Sequence, residues 1–414
     1  MIRVRGVLVL LEIAALAMTL ACGSGHVPAS QERSPNASVA RIPTVPVTVA
    51  GPKQWPAPPQ PPSTSADLHA DVSFPAPLDA GGDAAGLLAG SPDDSGVVLG
   101  FIDDHSGPEA FQETLKLLDL NSRALTNLFT IPRGFTAASV AINAKFMVWS
   151  QAHVQLEQQG STLMVWDRVT HAPPVEIARD PNGAGPSALA FVMHGSQVVY
   201  RMSAGEAQTS DSLVWADLAT GRIRTIYTAP PQTTVRPEAI DDNSIVWTEA
   251  TRGLSADGSP KMETKRLRYM KLNEDNPAEP QTIAIPVTND YYGAVLDAGE
   301  LYFQRDDGVV RIDAWQTQPI IHQIWERSPG AGSFLVGSDA MLGWTDSTDG
   351  RVMVYDTTGR SILVDPAAAT VGLVAAKGVL VWETNSHLAD PSSTGPVTLN
   401  LFNVLRRKAG TQGQ

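Results

Sequence analysis

Residues 212–230 read SLVWADLATGRIRTIYTAP: two runs of alternating apolar and polar residues joined by Asp217-Leu218-Ala219-Thr220-Gly221. Alternation with a period of two sends one face of each run into a core, and Gly221 supplies the positive φ of a tight turn. The stretch therefore predicts an antiparallel hairpin. It decides the fold because the chain repeats it.

Seven phrases share one pattern, a short apolar run that mostly ends in a large aromatic. They are Val97-Val98-Leu99-Gly100, Phe146-Met147-Val148-Trp149, Gln197-Val198-Val199-Tyr200, Ser244-Ile245-Val246-Trp247, Glu300-Leu301-Tyr302-Phe303, Met341-Leu342-Gly343-Trp344 and Val379-Leu380-Val381-Trp382. Each is followed by a third strand, at 115–119, 163–167, 213–217, 267–271, 309–313, 352–356 and 399–403. A period of roughly 40 to 55 residues is that of propeller blades. Four short strands per unit predict an all-β, seven-bladed β-propeller of four-stranded antiparallel blades. Gly100 stands where the other units carry a larger residue.

Innermost strands crowd an axis and need small residues. Residues 137–141, 187–190, 293–295 and 371–374 meet that need. Trp149, Trp247, Trp344, Trp382 and Trp166 are expected between blades, since an aromatic buries about 150–250 Å². A ring of ligand-stacking aromatics is the rival use. The last unit has no fourth strand of its own, whereas Asp71-Val72-Ser73-Phe74-Pro75 precedes the first unit and reads as one. This N-terminal strand is expected to join the last blade and close the ring, with its proline tolerated at a sheet edge. The phrase "apolar run, Asp, x, x, Thr-Gly" at 217–221, with its shorter counterpart at 356–359, resembles TolB-like propeller repeats. The resemblance supports the fold more than a role.

The chain has 414 residues, 43% hydrophobic and 18% charged, with a net charge of −13. That charge argues against nucleic acid as a partner, because phosphate binding needs clustered Lys and Arg. Arg3 and Arg5 precede an apolar run from Gly6 to Leu20 broken only by Glu12, the layout of an export signal. Cys22, the only cysteine, excludes an internal disulfide. Its setting after Thr19-Leu20-Ala21 resembles the lipobox of bacterial lipoproteins, although Thr19 stands where leucine is usual. The resemblance implies lipidation of Cys22 and anchoring to the cell membrane or envelope outside the cytoplasm; a cleaved signal and a secreted chain is the alternative. The expected order is a signal peptide at 1–21, a disordered Pro/Ser-rich tether at 22–66, one propeller domain at 67–408 and a disordered tail at 409–414.

In such blades the turns after strands one and three share one face, and the loops after strands two and four share the other. The first set is short. Loops after strand two vary in length: five are long, at 103–113, 150–161, 202–211, 249–264 and 384–395, and those of blades 5 and 6 are tight hairpins at 306–308 and 346–350. Binding residues usually sit on long loops of a rigid scaffold. The candidate ligand face therefore carries Asp103, Asp104, His105, His153, Glu157, Glu383, His387 and Asp390. Carboxylates and imidazoles can serve acid–base chemistry or a metal, but no spacing here matches a metal motif. The aspartates that end third strands (Asp119, Asp167, Asp217, Asp313, Asp356) read as turn-builders. The chain has no G-x-S-x-G, H-E-x-x-H or phosphate-loop motif. The expectation is a monomeric binding module without catalysis, cofactor or metal, engaging a protein or envelope ligand. The alternatives are an envelope enzyme of lactonase, glycan lyase or glycosidase type, and a purely structural envelope protein.

Overall fold

A computed structural model gives the arrangement of residues 65–403, apart from 69, 94–95, 105, 156–159, 181–188, 204–209, 255–259, 273–278, 284–290, 298, 306–307, 327–334, 339–340, 347–349, 359–360, 366–369 and 386–396. Its strands form seven antiparallel blades of a β-propeller, at 86–130, 135–180, 191–228, 233–282, 291–326, 336–364 and 370–403. The hairpin at 212–228 forms as the sequence predicts. It runs from Ser212↔Thr228 to Asp217↔Arg222, and Gly221 has φ of 71°.

The ring closes as expected. Val72–Pro75 is the outermost strand of blade 7, antiparallel to Thr398–Asn403, with Val72↔Leu401 and Phe74↔Leu399. One strand was not foreseen. Ser65–Asp67 pairs parallel with Ser361–Val364 and gives blade 6 a fifth strand. Between these two strands Leu68 is 1% exposed and packs with Trp382, Leu380 and Phe402 in the seam of blades 6 and 7.

Trp149, Trp247, Trp344 and Trp382 are fully buried, each in a cluster that joins adjacent blades. Trp166 is only partly buried against its cluster. These rings fill the space left as the blades diverge from the axis, which is scaffold work. Three of these four buried indole N–H groups have an acceptor there. Gln151 accepts from Trp149 at 3.1 Å, Glu249 from Trp247 at 3.2 Å and Asp365 from Trp382 at 3.0 Å.

Two sequence expectations shift. Among the described residues the first strand of blade 3 is Phe191–His194, and Ser187 and Ala188 of the expected 187–190 lie outside them. Gly195, at φ 55°, forms the tight turn into Gln197–Met202, so the strand before it must end at His194. The loop placed at 249–264 is mostly strand, because Ser244–Leu254 and Pro260–Lys271 pair out to Leu254↔Pro260. Only Gly fits at position 90, where a Cβ would collide with the Ala375 carbonyl of blade 7.

Candidate functional site

The first strand of each blade is a sheet edge, so half of its main-chain N–H groups lack a partner within the blade. Buried unpaired donors are costly. At the long-loop end of the ring, carboxylates from a preceding blade meet this need. Glu113 of blade 1 accepts from Ala137 N at 2.9 Å and from the Thr136 hydroxyl at 3.0 Å, both in the first strand of blade 2. Asp211 of blade 3 accepts from Val235 N of blade 4 at 3.2 Å, and the Arg201 guanidinium pairs with it at 2.8 Å. Glu383 of blade 7 accepts from Leu87 N of blade 1. Leu87 and Ala137 each precede a bulge in their strand, where the ladder is locally broken.

Burial dominates the electrostatics of these groups. It pushes the Glu383 carboxyl up to about 7, against the pull of the Leu87 N–H bond. Burial raises Glu113 as well. The bonds from Ala137 and Thr136 oppose that rise, and the Asp103 charge adds to it. Neither carboxyl has a cationic partner among the causes of its shift, so each is stabilised by main-chain or hydroxyl donors instead.

The structure describes four of the eight predicted residues. Asp103 is exposed at the end of the second strand of blade 1 and accepts from the Thr114 hydroxyl at 2.5 Å. Asp104 is half-buried and caps a turn through Ser106 N at 2.8 Å. His153 ends the second strand of blade 2 with its ring 4.0 Å from that of Phe135. Glu383 is buried in the seam of blades 7 and 1. His105, Glu157, His387 and Asp390 lie outside the described residues. No group of three or more His, Cys, Asp or Glu able to hold a metal occurs among the described residues.

Glu113 and Asp211 are missing from the sequence-derived set. For Glu113 the signal was Gly100, the small residue in a register otherwise occupied by larger ones. A Cβ at Gly100 would collide with Glu113 Oε1, so the glycine makes room for the buried carboxylate. Nothing comparable marks Asp211.

On the short-turn face, four of the five third-strand aspartates build turns. Asp119 accepts from Ser122 N at 2.7 Å, Asp167 from Val169 N at 2.9 Å, Asp217 from Ala219 N at 3.0 Å and Asp356 from Thr358 N at 2.8 Å. Asp313 differs from the expectation. It pairs with Arg311 Nε at 2.8 Å and His322 Nε2 at 2.9 Å, and Arg311 also lies 3.8 Å from Glu300. Arg311 is buried, and burying its charge requires such partners.

No protein-family profile matches the chain, and no curated protein matches it in sequence. Similar solved structures are propellers at low identity. An acylaminoacyl peptidase of Pyrococcus horikoshii is 10% identical, with a TM-score of 0.51 over 77% of this chain and 51% of that one. This chain thus spans about half of that peptidase. The β-propeller domain of the Trilobed protease from Pyrococcus furiosus is 13% identical, with a TM-score of 0.48 over 73% of this chain and 90% of that one. An oligogalacturonate lyase in complex with manganese is 10% identical, with a TM-score of 0.47 over 82% and 99%. At these identities the likeness shows the fold alone.

Proposed function

We propose that this protein is an exported, lipid-anchored β-propeller that binds a protein or another envelope ligand on its long-loop face. The observation that carries this reading is the use made of the buried carboxylates at that face. Glu113, Asp211 and Glu383 are spent on main-chain N–H groups of the next blade, so they hold the ring together beneath the loops. A rigid ring displaying irregular polar loops suits recognition. The export layout, Cys22 and the TolB-like repeat phrase support the address and the class.

Substitutions in the loops after second strands are expected to abolish capture of the partner from an envelope extract, with short-turn substitutions silent. The reverse pattern would move the site to the other face. Cells fed a tagged fatty acid are expected to label the wild-type chain and not Cys22→Ala. Equal labelling of both would remove the anchor.

One observation favours the enzyme reading, of lactonase, glycan lyase or glycosidase type. A carboxyl held near 7, as in Glu383, suits proton transfer at neutral pH. Against it, Glu383 is only 7% exposed and is turned to Leu87 in the seam.

A further inference from the structure

Among the described residues six large apolar side chains are exposed: Leu78, Leu125, Val169, Val175, Ile223 and Ile320. Single exposed apolar residues are ordinary on a protein surface. Five of these six, however, share one place in the repeat. Leu125, Val175 and Ile320 open the fourth strands of blades 1, 2 and 5, and Ile223 is the second residue of that strand in blade 3. Val169 lies in the turn that leads into the fourth strand of blade 2. The five are 42% to 66% exposed. All stand at the turns between third and fourth strands, at one end of the ring. Leu78 lies at the other end, between Pro75, which pairs with Thr398, and Gly86, which pairs with Gly100.

The N-terminal segment joins the ring at the end that carries the five tips. Ser65–Asp67 runs parallel to the fourth strand of blade 6, with Ser65 beside Ile362 and Asp67 beside Val364. That fourth strand starts at Ser361, which pairs with Asp356 across its short turn. Ser65, to which the segment from Cys22 connects, is therefore on the short-turn side.

Charge around the tips is balanced. The turns of blades 1, 2 and 3 each hold one aspartate and one arginine: Asp119 with Arg123, Asp167 with Arg168 and Asp217 with Arg222. Attraction at these tips is therefore apolar rather than electrostatic. A protein partner would need a matching pocket for every tip, spaced as the blades are spaced. A lipid surface needs none, because a fluid interface admits separate apolar side chains wherever they fall.

We infer that the short-turn end of the ring is a membrane-facing surface, where Leu125, Val169, Val175, Ile223 and Ile320 dip into a lipid interface and turn the long-loop face away from it. The inference rests on the proposed anchor at Cys22 and gives the anchored domain its orientation.

The test reads which end of the ring meets lipid. The full chain is reconstituted in phosphatidylcholine vesicles that contain doxyl-labelled lipid, a short-range quencher. One new cysteine carries a bimane label, Ile223→Cys at the tips or Leu78→Cys at the other end. Quenching is expected at 223 and not at 78, and neither anionic lipid nor high salt should change it. Val169→Ser together with Val175→Ser should lower the docked-to-free ratio read at 223 by about tenfold or more. Unchanged melting midpoints verify that the variants fold. Equal quenching at both positions overturns the orientation and leaves the anchor intact. Stronger quenching at 78 overturns it as well, and removes the long-loop face as the binding face. Quenching at 223 that survives both serines, or that salt abolishes, overturns apolar insertion. A dimer in detergent that Val169→Ser and Ile223→Ser dissolve would assign the tips to a second copy instead. A wild-type chain that itself takes up the label has a free Cys22 thiol, which overturns the anchor and this inference with it.

Discussion

A chain beginning at residue 77 is expected to lose the cooperative melt of the full-length protein and to associate through the uncovered edges of blades 6 and 7. The segment it lacks does three things at once. Val72–Pro75 covers the edge of Thr398–Asn403, and Ser65–Asp67 covers the edge of Ser361–Val364. Leu68 fills the seam between the two blades. Side chains add to the strap: the Asp71 carboxylate accepts from Asn403 N at 2.7 Å, and the Ser73 hydroxyl donates to Asn400 Oδ1 at 2.7 Å.

Burying a leucine contributes about 1.5–3 kcal/mol, and each hydrogen bond nets about 0.5–1.5 kcal/mol. Together they are of the same order as the whole stability of a domain, about 5–15 kcal/mol. Uncovered edges also invite pairing between chains. A synthetic peptide spanning residues 65–76 should restore the melt and the monomeric elution in proportion to its concentration. Leu68→Ala, which keeps the strands, should cost about 2–5 kcal/mol. A truncated chain that elutes as a monomer with an unchanged midpoint would show that the ring closes without the strap.

Glu383→Gln is expected to raise the melting midpoint in alkaline buffer and to leave it nearly unchanged in mildly acidic buffer. Burial raises the folded-state pKa of Glu383 from 4.5 to about 7. The folded chain therefore binds its proton more tightly than the unfolded chain does. The associated stability is fully present below the unfolded value, about 4.5, and is lost as pH rises through about 7. A rise of that size corresponds to about 3 kcal/mol at most. Glutamine keeps the shape, offers an oxygen to the Leu87 N–H and never ionises. Glu113 is shifted in the same direction, so the variant should retain a shallower slope. Melting curves across this window would refute the account if the two chains differed equally at every pH.

The alternating runs and their period were enough to read blade count, strand order and the N-terminal closure, because each rests on local pattern and turn chemistry. Most third-strand aspartates were legible for the same reason, since an Asp that caps the next turn acts within a few residues. Asp313 was not, because it pairs with Arg311 of its own strand and with His322 of the neighbouring one.

The candidate site was legible only as a face. Sequence placed Asp103 and Glu383 alike in long-loop regions, yet one is exposed and the other is closed within a seam. Which N–H a carboxylate reaches depends on how one blade leans on the next, and no local pattern encodes that. What the sequence by itself determined is the repeating hairpin, the ring and the residues that cap its turns. The tertiary structure alone revealed that Glu113, Asp211 and Glu383 bind blade to blade and that Ser65–Asp67 straps blade 6. Each of these depends on desolvation and main-chain pairing between segments far apart in the chain.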